Sequence, residues 1–229
     1  LKRKGERVKL CAFAGKAAAR LKEATGEGAA TIHRMLGYMG DQGFTVKTLK
    51  GETIILDEAS MVNSDLMAEI IKRNPKRLVL VGDEAQLSPV GAGQPFHDLI
   101  KLRPDRVRTL LNCYRNAEAI FRAASAIRNG NIPVSFEQTT EELWRVVATG
   151  GPDGTHDAIL KAIRDGAVDF SKDVILCCRN GESDAQKCAV ESLNRDIKEI
   201  VNPAESDERF NIGDRIINTK NISDLDVWN

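Results

Sequence analysis

Two short apolar runs that end in acid constrain this chain more than any other feature. They are "TIILDEAS", residues 53–60, and "RLVLVGDEAQLSPVGAGQ", residues 77–94. A brief run of β-branched and aliphatic residues reads as a strand buried on both faces, and such strands belong to parallel sheets. "RVKLCAFA" and "DRVRTLL" are runs of the same kind. Helical patterns lie between them: about Lys16 to Thr25, closed by Gly26; "TIHRMLGYM"; and Ser64 to Arg73. A last one, "AEAIFRAASAIRNG", has Asn116 as N-cap and Gly130 just past its end. Strand and helix alternating in this way predict an α/β fold on a parallel sheet.

"GNIPVSFEQTTEE" reads as a linker, and a second α/β pattern follows it. That pattern is strand "LWRVVAT", helix "THDAILKAIRDG", strand "DVILCC", helix "SDAQKCAVESLNRDIKEIV", then "RFNIGDRIINTKN". The expected division is therefore 1–137 and 138–229, and 229 residues suffice for two cores. Lysine plus arginine equals aspartate plus glutamate at 33 each, so any nucleic-acid binding must come from a local patch. The five cysteines, Cys11, Cys113, Cys177, Cys178 and Cys188, lack the paired spacing of a zinc site. They read as reduced thiols of a cytoplasmic protein. The basic, then apolar start "LKRKGERVKLCAFAG" is too short in its uncharged part for a membrane span, and Lys16 interrupts it. No membrane association is expected. A chain beginning at Leu1 rather than Met reads as an excised piece of a longer protein.

A buried parallel strand delivers Asp57 and Glu58 at its carboxyl end, where open α/β sheets place their ligands. In a nucleotide hydrolase the first carboxylate would hold Mg²⁺, which prefers hard oxygens and keeps much of its water. The second would orient or deprotonate the attacking water. The alternative is an acidic pair favouring the start of the next helix, with Ser60 helping. After the second strand, the uncharged Gln86 is suited to sensing a terminal phosphate; otherwise "GDEAQ" is a surface turn. Arg115, in "LLNCYRNAEAIF", stands before a helix, where a guanidinium can grip a phosphate bidentately. Its plain alternative is a surface pair with Glu118.

In order, "GKAAARLKEATGEGAATIHRMLG", "IILDEASMV", "VLVGDEAQLSPVGAG" and "CYRNAEAI" resemble the successive motifs of the RecD-like branch of the superfamily 1 DNA helicases. "FNIGDRIINTKN" is similar to a segment leading into that family's second core domain. The resemblance implies two RecA-like domains, the first within 1–137 and part of the second in 138–229. It also implies ATP at their interface, single-stranded DNA across them, and 5′-to-3′ movement along it. Asp57 and Glu58 become the Mg²⁺ and catalytic-water carboxylates, Gln86 the γ-phosphate sensor and Arg115 the transition-state arginine. Gly15, Lys16, Thr31 and His33 fall in the DNA-contacting motifs. Lys16 as a solvated helix-start lysine and His33 as a core-edge histidine are the bland alternatives. Phe13-Ala14 stands where the family shows Pro-Thr, Ser88 where Pro is common and Asn116 where Gln is common.

Gly15-Lys16 is no phosphate loop. G-x-x-x-x-G-K-[ST] needs glycine where Leu10 stands and a hydroxyl where Ala17 stands. In the family that loop precedes the strand that "RVKLCAFA" resembles, so the chain reads as an internal, monomeric helicase fragment without its Walker A loop. Its parent would be an ATP-dependent DNA helicase of recombination, repair or replication, working with proteins of those processes. Other readings are the helicase portion of a conjugative relaxase, a viral-type RNA helicase, and a non-hydrolytic single-stranded-DNA-binding module.

Overall fold

A computed structural model describes residues 5–110, 118–131, 136–139, 142–144, 146–181, 187–203 and 210–216. They group into two compact units, 5–110 and 118–216.

The first unit is built on four parallel strands: β1 (Arg7–Ala12), β2 (Ala29–Thr31), β3 (Glu52–Asp57) and β4 (Arg77–Leu80). They lie in the order β2-β1-β3-β4. The runs "RVKLCAFA" and "TIILDEAS" become the central strands β1 and β3, "RLVLVG" forms the edge strand β4, and Cys11, Ile54 and Leu56 are wholly buried. Burial pushes the Cys11 thiol up to about 12, so it packs as a small apolar side chain. Helix α1 (Gly15–Thr25) ends where Gly26 turns left-handed and donates its N–H to the Lys22 carbonyl. Helix α3 (Ser64–Ile71) starts on Asn63, whose side chain accepts from Leu66 N. Its Leu66, Met67 and Ile70 join Ile32, Leu36, Leu49 and Val62 in the core. Helix α4 (Pro95–Leu102) adds Phe96.

Two expected elements differ here. "TIHRMLGYM" forms only the single turn α2 (Ile32–Met35). Gly37 then reverses the chain at φ 68°, and a Cβ there would lie 2.3 Å from Thr45 Oγ1. Only glycine fits so close an approach with positive φ. Residues 107–110 of "DRVRTLL" form no strand; they follow a tight turn, Pro104–Arg106.

The second unit holds α5 (Glu118–Arg128), an antiparallel pair β5 (Phe136–Thr139) and β6 (Glu142–Trp144), α6 (Pro152–Arg164) and α7 (Val190–Val201). Helix α5 groups with this unit and packs on β5 and β6, although the sequence suggests a boundary after it. The expected linker thus contains a strand. "DVILCC" forms none: no described strand pairs with it, and Val174 and Leu176 stand 69% and 88% exposed. Strand formation requires a partner, whatever the local propensity.

Two polar clasps hold this unit. Buried His156 on α6 donates from Nε2 to Asp196 Oδ2 on α7 at 2.8 Å. Asp214 ties the 211–214 turn to α7, accepting from Asn211 N (2.9 Å), Lys198 Nζ (3.0 Å) and Asn202 Nδ2 (2.8 Å). Those donors, the Asn211 amide first, hold its carboxyl at about 2 against an ordinary 3.8. A depressed pKa stabilises the fold above the ordinary value, and that contribution fades as pH falls toward 2. Asp214→Asn therefore lowers Tm at neutral pH, and its difference from wild type shrinks between about pH 5 and pH 2 in melts across that range. His156→Ala leaves Asp196 without its buried donor and costs roughly 1–3 kcal/mol in denaturant titrations.

Candidate functional site

Because all four strands of the first unit run one way, their carboxyl ends share one edge. Register aligns them closely: Ala12 lies opposite both Thr31 and Asp57. Asp57, Ala12 and Thr31 therefore stand level, with Gly15 and Lys16 just beyond Ala12 at the start of α1. The ladder continues past β4, where Val81 N donates to Leu56 O and Ala59 N to Val81 O, both at 2.8 Å. Gly82 then crosses the turn after β3, where an added Cβ would sit 3.0 Å from Ser60 N and 3.3 Å from Ala59 N. The structure thus brings Gly15, Lys16, Thr31, His33, Asp57, Glu58 and the 82–86 turn to one edge. Arg115 lies outside the described residues.

The two edges of the sheet differ in charge. At the amino edge Glu6 accepts from Thr53 Oγ1 at 2.9 Å and pairs with Arg77 (3.3 Å) and Lys76 (3.8 Å). The Thr53 bond first, and the two cations after it, hold its carboxyl below the usual range. At the carboxyl edge no described lysine or arginine pairs with Asp57 or Glu58. Asp57 Oδ1 accepts only the Glu58 amide, at 3.0 Å. Among the described residues its second oxygen and the Glu58 carboxylate have no hydrogen-bonded or ion-paired partner.

Glu58 is left-handed, φ 53° and ψ 40°, one of two non-glycine residues with positive φ among those described. Backbone bonds on both sides fix it: its N–H on Asp57, its carbonyl accepting from Met61 N at 3.1 Å. Strain of this kind concentrates where a side chain must point in one direction.

Gln86 is exposed in a short turn. Ala85 N donates to Asp83 Oδ1 (3.0 Å) and Gln86 N to Asp83 O (3.2 Å). His97 Nε2 on α4 donates to Glu84 O at 2.8 Å. Asn63 Nδ2 donates to Val90 O (3.1 Å), and Ser64 N to Ala92 O (2.9 Å), which anchors the Pro/Gly-rich loop. Sequence reasoning missed Asn63 and His97 as positioning residues. Asn63 had a signal, an N-cap before an apolar helix; His97 had none. Lys16 is exposed, and the N-cap Ala14 supplies no side-chain acceptor, so the first amides of α1 stay open. Thr31 Oγ1 accepts from Arg34 N at 3.2 Å, leaving its hydroxyl hydrogen to donate elsewhere. His33 is exposed, with its ring against Tyr38 and Phe44.

A family model described as an AAA domain matches residues 1–147. The ATP-dependent RecD2 DNA helicase of Deinococcus radiodurans is 32% identical over 237 residues, covering 98% of this chain and 31% of that protein. The RecBCD enzyme subunit RecD of Mycolicibacterium smegmatis is 30% identical over 265 residues, covering 97% and 47%. The conjugal transfer protein TraA of Rhizobium radiobacter is 28% identical over 234 residues, covering 95% and 20%. The chain belongs to this AAA domain family, in its RecD-like superfamily 1 helicase branch. It spans under half the length of each of these three relatives.

A left-handed L-residue costs roughly 1–2 kcal/mol, whereas glycine's extra unfolded-state entropy costs roughly 0.5–1. Glu58→Gly is therefore expected to raise stability by up to about 1 kcal/mol, whereas Glu58→Val lowers it. Thermal melts of the two variants beside wild type check the pair.

Proposed function

We propose that this chain is part of an ATP-dependent 5′-to-3′ DNA helicase that couples ATP hydrolysis to movement on single-stranded DNA. The observation that carries the reading is the Asp57–Glu58 step at the carboxyl edge, without a lysine or arginine partner among the described residues, while at the opposite edge Glu6 is ion-paired. Two RecA-like domains, the first within 1–137 and part of the second in 138–229, make up the motor portion. The direction of movement rests on the RecD-like motifs.

The residues fit Mg²⁺: one strand-end aspartate with a free oxygen suits an ion that takes one or two protein carboxylates plus water and phosphate oxygens. When bound, the ion neutralises charge on the nucleotide phosphates. Asp57 holds it, and Glu58 orients the attacking water and accepts its proton. Gln86 contacts the terminal phosphate and relays its loss to the 82–94 loop. Arg115 stabilises the charge that develops as the phosphoryl group departs. Gly15, Lys16, Thr31 and His33 hold the DNA backbone, which fixes position without reading sequence.

Similarity to the conjugal transfer protein favours a second reading, the helicase portion of a conjugative relaxase. In either case partners come from recombination, replication or transfer, and the protein works as a cytoplasmic monomer. Among the described residues no helix is long and apolar enough to cross a membrane.

Phosphate release from ATP by the full-length parent should rise strongly with oligo-dT and fall at least about a hundredfold in Glu58→Gln, the scale of a lost general base. Undiminished turnover in that variant would remove Glu58 from the chemistry. In the chain itself, Lys16→Ala should weaken single-strand binding about equally for all sequences and lower the salt slope by about one, measured by anisotropy titrations at several salt concentrations.

A further inference from the structure

We propose that the hairpin 37–45 is an aromatic platform on which a base of the bound single strand stacks, with Tyr38 as the exposed ring. The inference rests on the reading that DNA runs along the carboxyl edge, and it names a contact beyond the backbone-holding residues there.

Three rings meet just past Thr31. Tyr38 lies edge-on to His33, centroids 5.4 Å apart at 76°, and 5.2 Å from Phe44; His33 and Phe44 are 5.9 Å apart. Phe44 is the foundation, packed on the core with the Arg73 guanidinium 5.4 Å from its ring. Tyr38 is half exposed, and its neighbour Met39 is 60% exposed. Such exposure usually accompanies a floppy loop, but this one is braced. Tyr38 N donates to His33 O (2.9 Å), Met39 N to Gly43 O (2.9 Å), and Thr45 donates twice to Gly37 O, from N (3.0 Å) and Oγ1 (2.9 Å). A fixed aromatic loses little freedom on binding, which suits a ring that must be ready for a flat ligand.

The surrounding charge selects a polyanion. Residues 31–47 carry Arg34 and Lys47, both exposed, against one carboxylate, Asp41. A neutral chain thus has a locally basic stretch beside its exposed aromatic, the combination that binds single strands without sequence preference. An apolar protein partner would need a broader apolar surface than one tyrosine and one methionine.

The test is anisotropy of the full chain with a labelled oligo-dT and an abasic strand of equal length. Wild type should prefer oligo-dT by about five- to a hundredfold, the range for one aromatic–base stack. Tyr38→Ala should bind oligo-dT no better than the abasic strand, while Tyr38→Phe, which keeps the ring, should match wild type. Unchanged Tm in both variants would show that the fold is kept. A preference for oligo-dT that persists in Tyr38→Ala overturns the platform. Equal, salt-sensitive binding of both strands by wild type also overturns it, while leaving DNA on this edge. Binding of neither strand overturns both readings.

Discussion

The register of β1 against its two neighbours is the constraint on which the first unit depends. One residue, Ala12, is level with Thr31 on one side and Asp57 on the other. A one-residue slip would turn every side chain of a strand to the opposite face. Here it would turn Asp57 toward the face that Ile54 and Leu56 now occupy and turn both of those wholly buried side chains away from it. Hydrophobic burial therefore fixes the register, and the register fixes where the acids emerge. Energy spent on the core becomes geometry at the edge.

Beyond the last ladder bond β3 and its edge neighbour β4 remain joined. Val81 bonds back to Leu56, Ala59 bonds to Val81, and Gly82 passes within backbone contact of Ser60. The turn carrying Glu58 and the turn carrying Gln86 therefore move as one piece, or both must break hydrogen bonds. A device that couples phosphate loss to loop movement needs such a link. The left-handed Glu58 fits the same pattern: a side chain is aimed at the expense of backbone ease.

Much of the first unit was legible because burial and capping leave local marks. β1, β3 and β4 follow from apolar runs, and Gly26 closes α1 as a left-handed C′ residue should. The acids at strand ends, with Gly15, Lys16 and Thr31, could be named before any register was known. What was not legible depends on distant partners. In "TIHRMLGYM" the glycine at 37 was a local stop signal, but apolar spacing continues past it and hid the reversal that lifts Tyr38 outward. "DVILCC" has strand propensity and no described strand to pair with. His97 bracing Glu84 is a contact thirteen residues apart, invisible to any periodicity.

We propose that the carboxyl edge of this sheet receives the single strand. Hydrogen-exchange mass spectrometry of the chain with and without oligo-dT tests it most directly. Exchange should slow at residues 13–17 and 31–45, with no change at the amino edge around residues 5–8 and 50–53. Slowed exchange confined to the amino edge, where Glu6 is already neutralised, would contradict it.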